Sequence, residues 1–233
     1  MKLINILIAV SLAALGGCVS DPAAMRRGGD LYPSFSALKA ANVEGRDYSS
    51  EVYLRGSPIT VFAVHGGDIE LGTARLARLT AGRDLNLYLF NGWLGADSGR
   101  LHVTATHFDD PAAVQLATAS VLGIALHAQA DRGSYVCVGG KNDVVARLVV
   151  MRLEAAGFAA ATPCARLPGT SAKNIVNLPS AGGVQLEITL RLLRKLEDEP
   201  EEAARFTEAL RLAAFEGMSE INRRQSEAAQ PGK

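Results

Sequence analysis

The stretch ITVFAVHGGDIELGTARLARLT, residues 59–80, decides the fold. Its first six residues form an apolar run rich in β-branched side chains, which is typical of a buried strand. The pair Gly66-Gly67 then allows the chain to turn sharply. Apolar residues at helical spacing follow and predict a helix over residues 73–80. A strand followed directly by a helix is the repeating unit of an α/β protein.

The same alternation continues along the chain. Helices are predicted to begin at Pro111 and Asp143, because Asp110 and Asn142 precede them as capping residues. The predicted strands cover residues 85–90, 101–106, 121–126, 134–138 and 183–187, and the predicted helices cover residues 111–120 and 143–156. We therefore predict a single α/β domain with a mixed, mostly parallel sheet flanked by helices.

Composition limits the classes of function. Of 233 residues, 48% are hydrophobic and 21% are charged, a balance typical of a folded globular protein. Lys plus Arg and Asp plus Glu number 24 each, so the formal net charge is zero. Because the chain has no net positive field to attract phosphates, we predict no nucleic-acid partner.

The N-terminus has the pattern of an export signal. Lys2 is followed by an apolar run over residues 3–15, which is too short to span a bilayer comfortably. The run ends in Gly16-Gly17-Cys18, the arrangement of a bacterial lipoprotein signal whose cysteine is lipidated. We predict a signal peptide over residues 1–17 and a membrane anchor at Cys18, with the protein facing the periplasm or the exterior at the cell envelope. An ordinary cleaved signal peptide is the alternative.

The remaining chain divides by composition. Residues 18–46 lack a sustained period and are predicted to be a tether, residues 47–198 the packed domain, and residues 199–233 an amphipathic helix with a disordered end. An exported compartment permits Cys137 and Cys164 to form a disulfide, although both can equally be buried free thiols. Neither has the spacing of a zinc ligand.

Histidine placement indicates a metal site. All four histidines of the chain fall between residues 65 and 127. His65, His127 and Glu187 each lie at the carboxyl end of a predicted strand, where α/β sheets bind ligands. The loop after His65 is flexible enough to bring Glu70 back beside it. Two imidazoles and one carboxylate form a three-ligand zinc site with an open position for water, and Glu187 is then the general base. Taken singly, each of these residues is more often structural.

Several blocks in order resemble the poly-γ-glutamate hydrolase family of phage-type zinc metallopeptidases. The blocks are VHGGDIELGT (64–73), LHVTATHFDDP (101–111), VGG (138–140), LPGT (167–170), NIVN (174–177) and GVQLE (183–187) with Arg191. The resemblance implies a zinc-carboxypeptidase-like catalytic domain that hydrolyses γ-glutamyl amide bonds in an anionic polymer. It also implies that His65, Glu70 and His127 hold zinc and that Glu187 is the catalytic base.

An anionic substrate requires cations that face the cleft. Arg132, Lys141 and Arg191 are the candidates, because they lie in or near the matching blocks. His107, together with Asp109, is predicted to orient substrate or to support a metal ligand, unless Asp109 only caps the next helix. His102 is left out of the site, because strand alternation over residues 101–106 points its side chain away from the apolar set.

Three positions depart from the family pattern and bear on the choice of substrate. Asp68 and Leu71 stand where the family pattern has glycine and proline, and His127 is followed by Ala128 in place of glycine. A carboxylate at residue 68 repels a polyglutamate chain. The alternatives are therefore a peptidase or deacylase for γ-linked peptides of cell-wall or small-molecule origin, and a non-catalytic lipoprotein that binds envelope polymers.

Overall fold

The computed structural model of the protein describes residues 29–229 and has an α/β architecture. The α-helices are α1 (Phe35–Ala41), α2 (Thr73–Ala81), α3 (Pro111–Thr118), α4 (Asp143–Ala155), α5 (Leu190–Asp198) and α6 (Pro200–Ala228). The strands are β1 (Tyr48–Tyr53), β2 (Ile59–Gly67), β3 (Asn86–Gly92), β4 (Leu122–Gln129), β5 (Val136–Gly140), β6 (Ala160–Ala161) and β7 (Gly183–Thr189). Two 3-10 helices cover Gly95–Leu101 and Ile175–Asn177.

The strands form one mixed sheet of seven strands in the order β1-β3-β2-β4-β7-β5-β6. Its centre, β3-β2-β4-β7, is parallel throughout. Strands β1 and β5 join this centre antiparallel, and the short β6 pairs parallel with β5. The predicted single-domain, mostly parallel α/β fold is therefore confirmed.

Helices cover both faces of the sheet, so the central strands are buried on both sides. One face packs Val61 and Leu89 against α2, α4 and α6, where Phe206 and Leu210 are fully buried. The opposite face packs Phe62, Tyr88 and Phe90 against α1 and α3. Burial on both sides explains why these strands appear in the sequence as continuous apolar runs.

Capping side chains fix the helix starts near those predicted. The Asp110 carboxylate accepts a hydrogen bond from Ala112 N at the start of α3, which has Pro111 in its first turn. The Asn142 side chain accepts from Val145 N at the start of α4. These caps satisfy amide donors that have no partner inside the helix.

Two predictions about the chain's course are corrected. Residues 101–106 do not form a strand: the 3-10 helix ends at Leu101 and a loop follows, with His107 N bonded to Thr104 O. The alternation arises because Leu101, at the end of the 3-10 helix, and the loop residues Val103 and Ala105 pack into the core on the α1 face. The packed fold also begins before residue 47, since Phe35 of α1 is only 2% exposed.

The C-terminal amphipathic helix corresponds to α6, which packs along α4 and α2. The predicted disordered end extends beyond the described residues, as do the predicted signal peptide and Cys18. None of the helices within residues 29–229 combines the length and the apolar character that a membrane crossing requires.

Cys137 and Cys164 form a disulfide, with their Cα atoms 5.1 Å apart. The bond links β5 to the segment that follows β6. Of the two alternatives, the structure selects the disulfide over two free thiols. The closed loop spans 27 residues, so the bond restricts the unfolded chain and stabilises the fold by about 3–4 kcal/mol.

Candidate metal centre

Three neighbouring central strands carry the residues of the site. His65 lies near the end of β2, His127 on β4 and Glu187 on β7, and these strands are adjacent in the sheet. His127 and Glu187 are direct partners in the parallel register, so their side chains leave the same face at the same level. All three are buried: their exposed fractions are 3%, 4% and 5%.

Local packing requires the glycine pair after His65. A Cβ atom at Gly66 would lie 2.7 Å from the Ala74 Cβ and would collide with the Asn91 side chain. Gly67 has a φ of 64°, a backbone angle that residues with a side chain rarely adopt. Together these residues let β2 end tightly against β3 and turn towards Glu70.

The returning loop brings Glu70 into the cluster. Glu70 N donates to His65 O at 2.8 Å, which closes the loop and directs the carboxylate towards the two imidazoles. Glu70 Oε1 lies 3.4 Å from His65 Nδ1, and Oε2 lies 3.7 Å from His127 Nδ1. The two Nδ1 atoms are 3.1 Å apart.

These distances between candidate ligand atoms fit a tetrahedrally coordinated metal ion. Zinc bonds of about 2.0–2.1 Å place tetrahedral ligand atoms about 3.3 Å apart. The observed separations of 3.1, 3.4 and 3.7 Å bracket that value. Within residues 29–229, His65, Glu70 and His127 are the residues that meet the spacing of a metal-binding group. Three protein ligand atoms would leave one tetrahedral position of a bound zinc ion for water or substrate.

Hydrogen bonds orient the candidate ligand groups so that their lone pairs face one another. His65 Nε2 donates to the Val103 carbonyl oxygen at 2.9 Å, which leaves the Nδ1 lone pair for the cluster. Ala128 N donates to Glu70 Oε2 at 2.7 Å. Burial by itself raises the pKa of Glu70, but His65 and His127 outweigh it and hold that pKa well below its usual range. The carboxyl group is therefore anionic at neutral pH.

A chain of hydrogen bonds through two amide side chains holds the Glu187 carboxylate. Gln185 Nε2 donates to Glu187 Oε1 at 2.8 Å, and the Asn174 amide donates to Gln185 Oε1 at 2.7 Å. Asn174 belongs to the loop after Gly169, whose backbone lies against Gln185. These hydrogen bonds hold one carboxylate oxygen of Glu187 in the cleft that is also lined by His65, Glu70 and His127, the candidate metal-binding cluster.

The cluster opens into a cleft of about 960 Å³, which is large enough for a short peptide segment. Apolar side chains, among them Ile69, Leu71 and Leu167, line part of the cleft. Asp68 also lines it, and its carboxylate accepts a hydrogen bond from Gly95 N at 3.1 Å. The site therefore combines an apolar wall with charged groups near the metal-binding cluster.

His102 belongs to the site, contrary to the sequence prediction. Its ring stacks on His65 with centroids 4.1 Å apart and an interplanar angle of 27°. Its Nδ1 lies 2.7 Å from Asp30 Oδ1, and both residues line the cleft. Burial, followed by the neighbouring His65, lowers the pKa of His102, against the opposing influence of Asp30. Strand alternation misplaced this residue because the segment is a loop.

The predicted substrate residues lie elsewhere. Arg132, Lys141, Arg191 and His107, which the sequence predicts to bind or orient substrate, are not among the residues that line the cleft. Among residues 29–229, the arginines that line it are Arg166 and Arg194, and Arg166 pairs with Asp131. Asp109 does not cap α3; its carboxylate binds the Ser36 backbone and hydroxyl at the start of α1. No motif in the sequence distinguishes Arg194 from other surface arginines.

Comparison with known proteins agrees with this geometry. The family model described as poly-gamma-glutamate hydrolase matches residues 32–220. The chain belongs to the poly-γ-glutamate hydrolase family. It is thus a hydrolase, and membership favours an enzyme over the alternative of a non-catalytic binding protein.

Relatives of this poly-γ-glutamate hydrolase family member include the UPF0714 protein YndL of Bacillus subtilis (strain 168), 36% identical over 170 residues, which cover 72% of this chain and 67% of YndL. A solved bacteriophage poly-γ-glutamate hydrolase is similar in structure, with a TM-score of 0.78 and 33% identity over 82% of this chain and 99% of that chain. A solved structure named YNDL-apo (Zinc-free) has a TM-score of 0.73 and 32% identity, over 82% of this chain and 98% of that chain.

Proposed function

We propose that the protein is a zinc-dependent hydrolase that cleaves γ-glutamyl amide bonds. The observation that carries the proposal is the buried His65, Glu70 and His127 cluster, whose ligand atoms have tetrahedral spacing and open into the cleft beside Glu187. Two imidazoles and one carboxylate are the ligand set of catalytic zinc. Membership in the poly-γ-glutamate hydrolase family, and a relative whose structure is named zinc-free, support both the metal and the bond type.

Zinc held by this cluster would polarise the scissile carbonyl and lower the pKa of water towards about 7. Glu187 takes a proton from the attacking water as the oxygen adds to the carbonyl carbon. It then donates that proton to the leaving amide nitrogen as the C–N bond breaks. Gln185 keeps the Glu187 carboxylate in position for both transfers.

The cleft charges bear on the substrate. Arg194 supplies an exposed cation for a substrate carboxylate, as a glutamyl polymer requires. Asp30 and Asp68 line the same cleft and oppose a dense polyanion. These two carboxylates favour, as a second candidate, cleavage of short γ-linked peptides from cell-wall or small-molecule sources. Comparing turnover of poly-γ-glutamate with that of a γ-glutamyl dipeptide and a γ-linked cell-wall peptide separates the two.

The test of the mechanism is Glu187→Gln. Loss of the general base should lower kcat at least about 100-fold, since general-base catalysis contributes about 10²- to 10⁴-fold. Zinc content, measured by atomic absorption, should stay at about one ion per chain, because the ligands are intact. Glu208→Gln, at an exposed position on α6, is the control and should match the parent. Parent protein without stoichiometric zinc, or unchanged turnover in Glu187→Gln, would contradict the proposal.

Export and lipidation are part of the proposal. The apolar run of residues 3–15 before Gly16-Gly17-Cys18 supports lipidation at Cys18 and anchoring at the bacterial cell envelope. The Cys137–Cys164 disulfide agrees with an oxidising compartment. In cells fed labelled palmitate, the parent should incorporate label and sediment with membranes, whereas Cys18→Ser should do neither. Equal labelling of the two proteins would contradict a lipid anchor at this cysteine.

A further inference from the structure

The first described residues of the chain contact the segment that packs against His65. The Asp30 carboxylate makes two contacts with one short segment: Oδ1 lies 2.7 Å from His102 Nδ1, and Oδ2 accepts a hydrogen bond from Thr104 N at 2.7 Å. A single carboxylate thus bridges residues 102 and 104. The residue between them is Val103.

Val103 contacts the cluster directly. Its carbonyl oxygen lies 2.9 Å from His65 Nε2 and sets which ring nitrogen of His65 carries the hydrogen. The ring of His102, one residue earlier, stacks on the His65 ring. One segment therefore controls both the hydrogen bonding and the ring orientation of His65. Asp30 fastens that segment on both sides of Val103.

We propose that Asp30 is a positioning residue for the metal centre. By bridging His102 and Thr104, it holds the Val103 carbonyl where His65 Nε2 donates to it, and it thereby keeps His65 Nδ1 directed at the ion. The inference rests on the proposed zinc function. It goes beyond the family match, which begins at residue 32 and does not include Asp30.

A simpler role would be to attach the N-terminal segment to the domain, and Asp109 provides the comparison. Its carboxylate accepts hydrogen bonds from Ser36 N at 2.9 Å and from Ser36 Oγ at 3.0 Å. It therefore also joins the N-terminal region to the loop before α3. Unlike Asp30, Asp109 does not line the cleft. Asp109→Asn thus tests attachment alone.

The experiment measures zinc affinity by competition with a chromogenic chelator in the full-length parent, Asp30→Asn and Asp109→Asn. Mutation of a group that holds a metal ligand in place from outside the coordination shell typically costs about 10- to 100-fold in metal affinity. We expect a loss of that size in Asp30→Asn and less than a threefold change in Asp109→Asn. Cobalt-substituted Asp30→Asn should also differ from the parent in its visible spectrum, which reports ligand geometry, whereas Asp109→Asn should not.

The outcomes separate the two proposals. A parent that binds no zinc overturns both the proposed function and this inference. A parent that binds zinc, with Asp30→Asn unchanged in affinity and cobalt spectrum, overturns only the inference. If Asp30→Asn does not fold, His102→Phe decides, because it keeps an aromatic ring against His65 and removes one of the two Asp30 contacts. Weaker zinc binding in His102→Phe supports the inference, and parental affinity overturns it.

Discussion

Individual hydrogen bonds set the chemistry of the Glu187 carboxylate. Gln185 donates to its Oε1, while Gln129 donates to the Glu187 main-chain oxygen at 2.9 Å. Both glutamines are buried, with exposed fractions of 7% and 3%. The two glutamines can therefore be compared directly: Gln185 binds the Glu187 carboxylate, whereas Gln129 binds only the Glu187 main chain.

Gln185→Leu should lower kcat about tenfold, because a hydrogen bond to a charged group contributes about 1.5–3 kcal/mol. Zinc content should stay at the parental value, since no metal ligand changes. Steady-state kinetics on a γ-glutamyl substrate measure the effect. Gln129→Leu, which removes only a main-chain contact, should keep the parental kcat. Equal losses in both variants would show that general destabilisation causes the effect.

At the same scale, the sequence led to some site residues and missed others. Strand-end placement points to His65, His127 and Glu187, and the family resemblance implies the same residues together with Glu70. The fold brings these four residues together. Asp30 was missed because its role depends on a contact 72 residues away along the chain. Arg194 was missed because an exposed helical arginine has the same local pattern wherever it lies.

At the scale of elements, α1 is an integral part of the sheet's covering layer. Phe35 packs edge-on against Phe90, with ring centroids 5.3 Å apart, and also contacts Tyr48 and Phe108. Leu38 is fully buried beside it. A segment that composition assigns to a tether thus closes one face of the core.

Phe35→Ala should lower the free energy of unfolding by about 3–5 kcal/mol, since it leaves a cavity among buried aromatic rings. Chemical denaturation of the zinc-loaded protein measures the change. Phe215→Ala on α6 is the control: that side chain is 42% exposed, and its removal should cost much less. If Phe35→Ala changed the free energy of unfolding only slightly, α1 would not belong to the part of the fold that unfolds cooperatively.

Central elements were predictable, whereas peripheral ones were not. Strands β2, β3, β4 and β7 are buried along nearly their whole length, because both of their faces are covered, and apolar residues therefore dominate their sequences. The edge strand β1 is half exposed and contains Ser49, Ser50 and Glu51, so its composition does not differ from that of a loop. Strand β6 has two residues and no period to detect. Sequence patterns reflect burial, and burial is weakest at the sheet edges.

For the whole molecule, the proposed metal site would couple zinc binding to folding. The proposed ligands come from β2, the loop after it and β4, so they converge only in the folded chain. A ligand that binds only the native state stabilises it by about 4 kcal/mol at a thousandfold excess over its Kd. Zinc should therefore stabilise the fold as well as the reaction.

Removing the metal with a chelator should lower Tm by several degrees in calorimetry, and added zinc should restore it. Glu187→Gln is the control and should show the same shift, because it keeps all three proposed ligands. His65→Ala should show little response to zinc. A Tm that does not depend on zinc in the parent would contradict the coupling.

The adjacency of β2, β4 and β7 also has a consequence for local motion. His127 and Glu187 are joined by the hydrogen-bond ladder of neighbouring inner strands, which open only when the domain opens. Amide hydrogens of these strands should exchange with deuterium on the timescale of global unfolding. The separation of the two side chains should then survive any loosening of the surrounding loops. The proposed arrangement of ligand and base should therefore persist for as long as the domain stays folded.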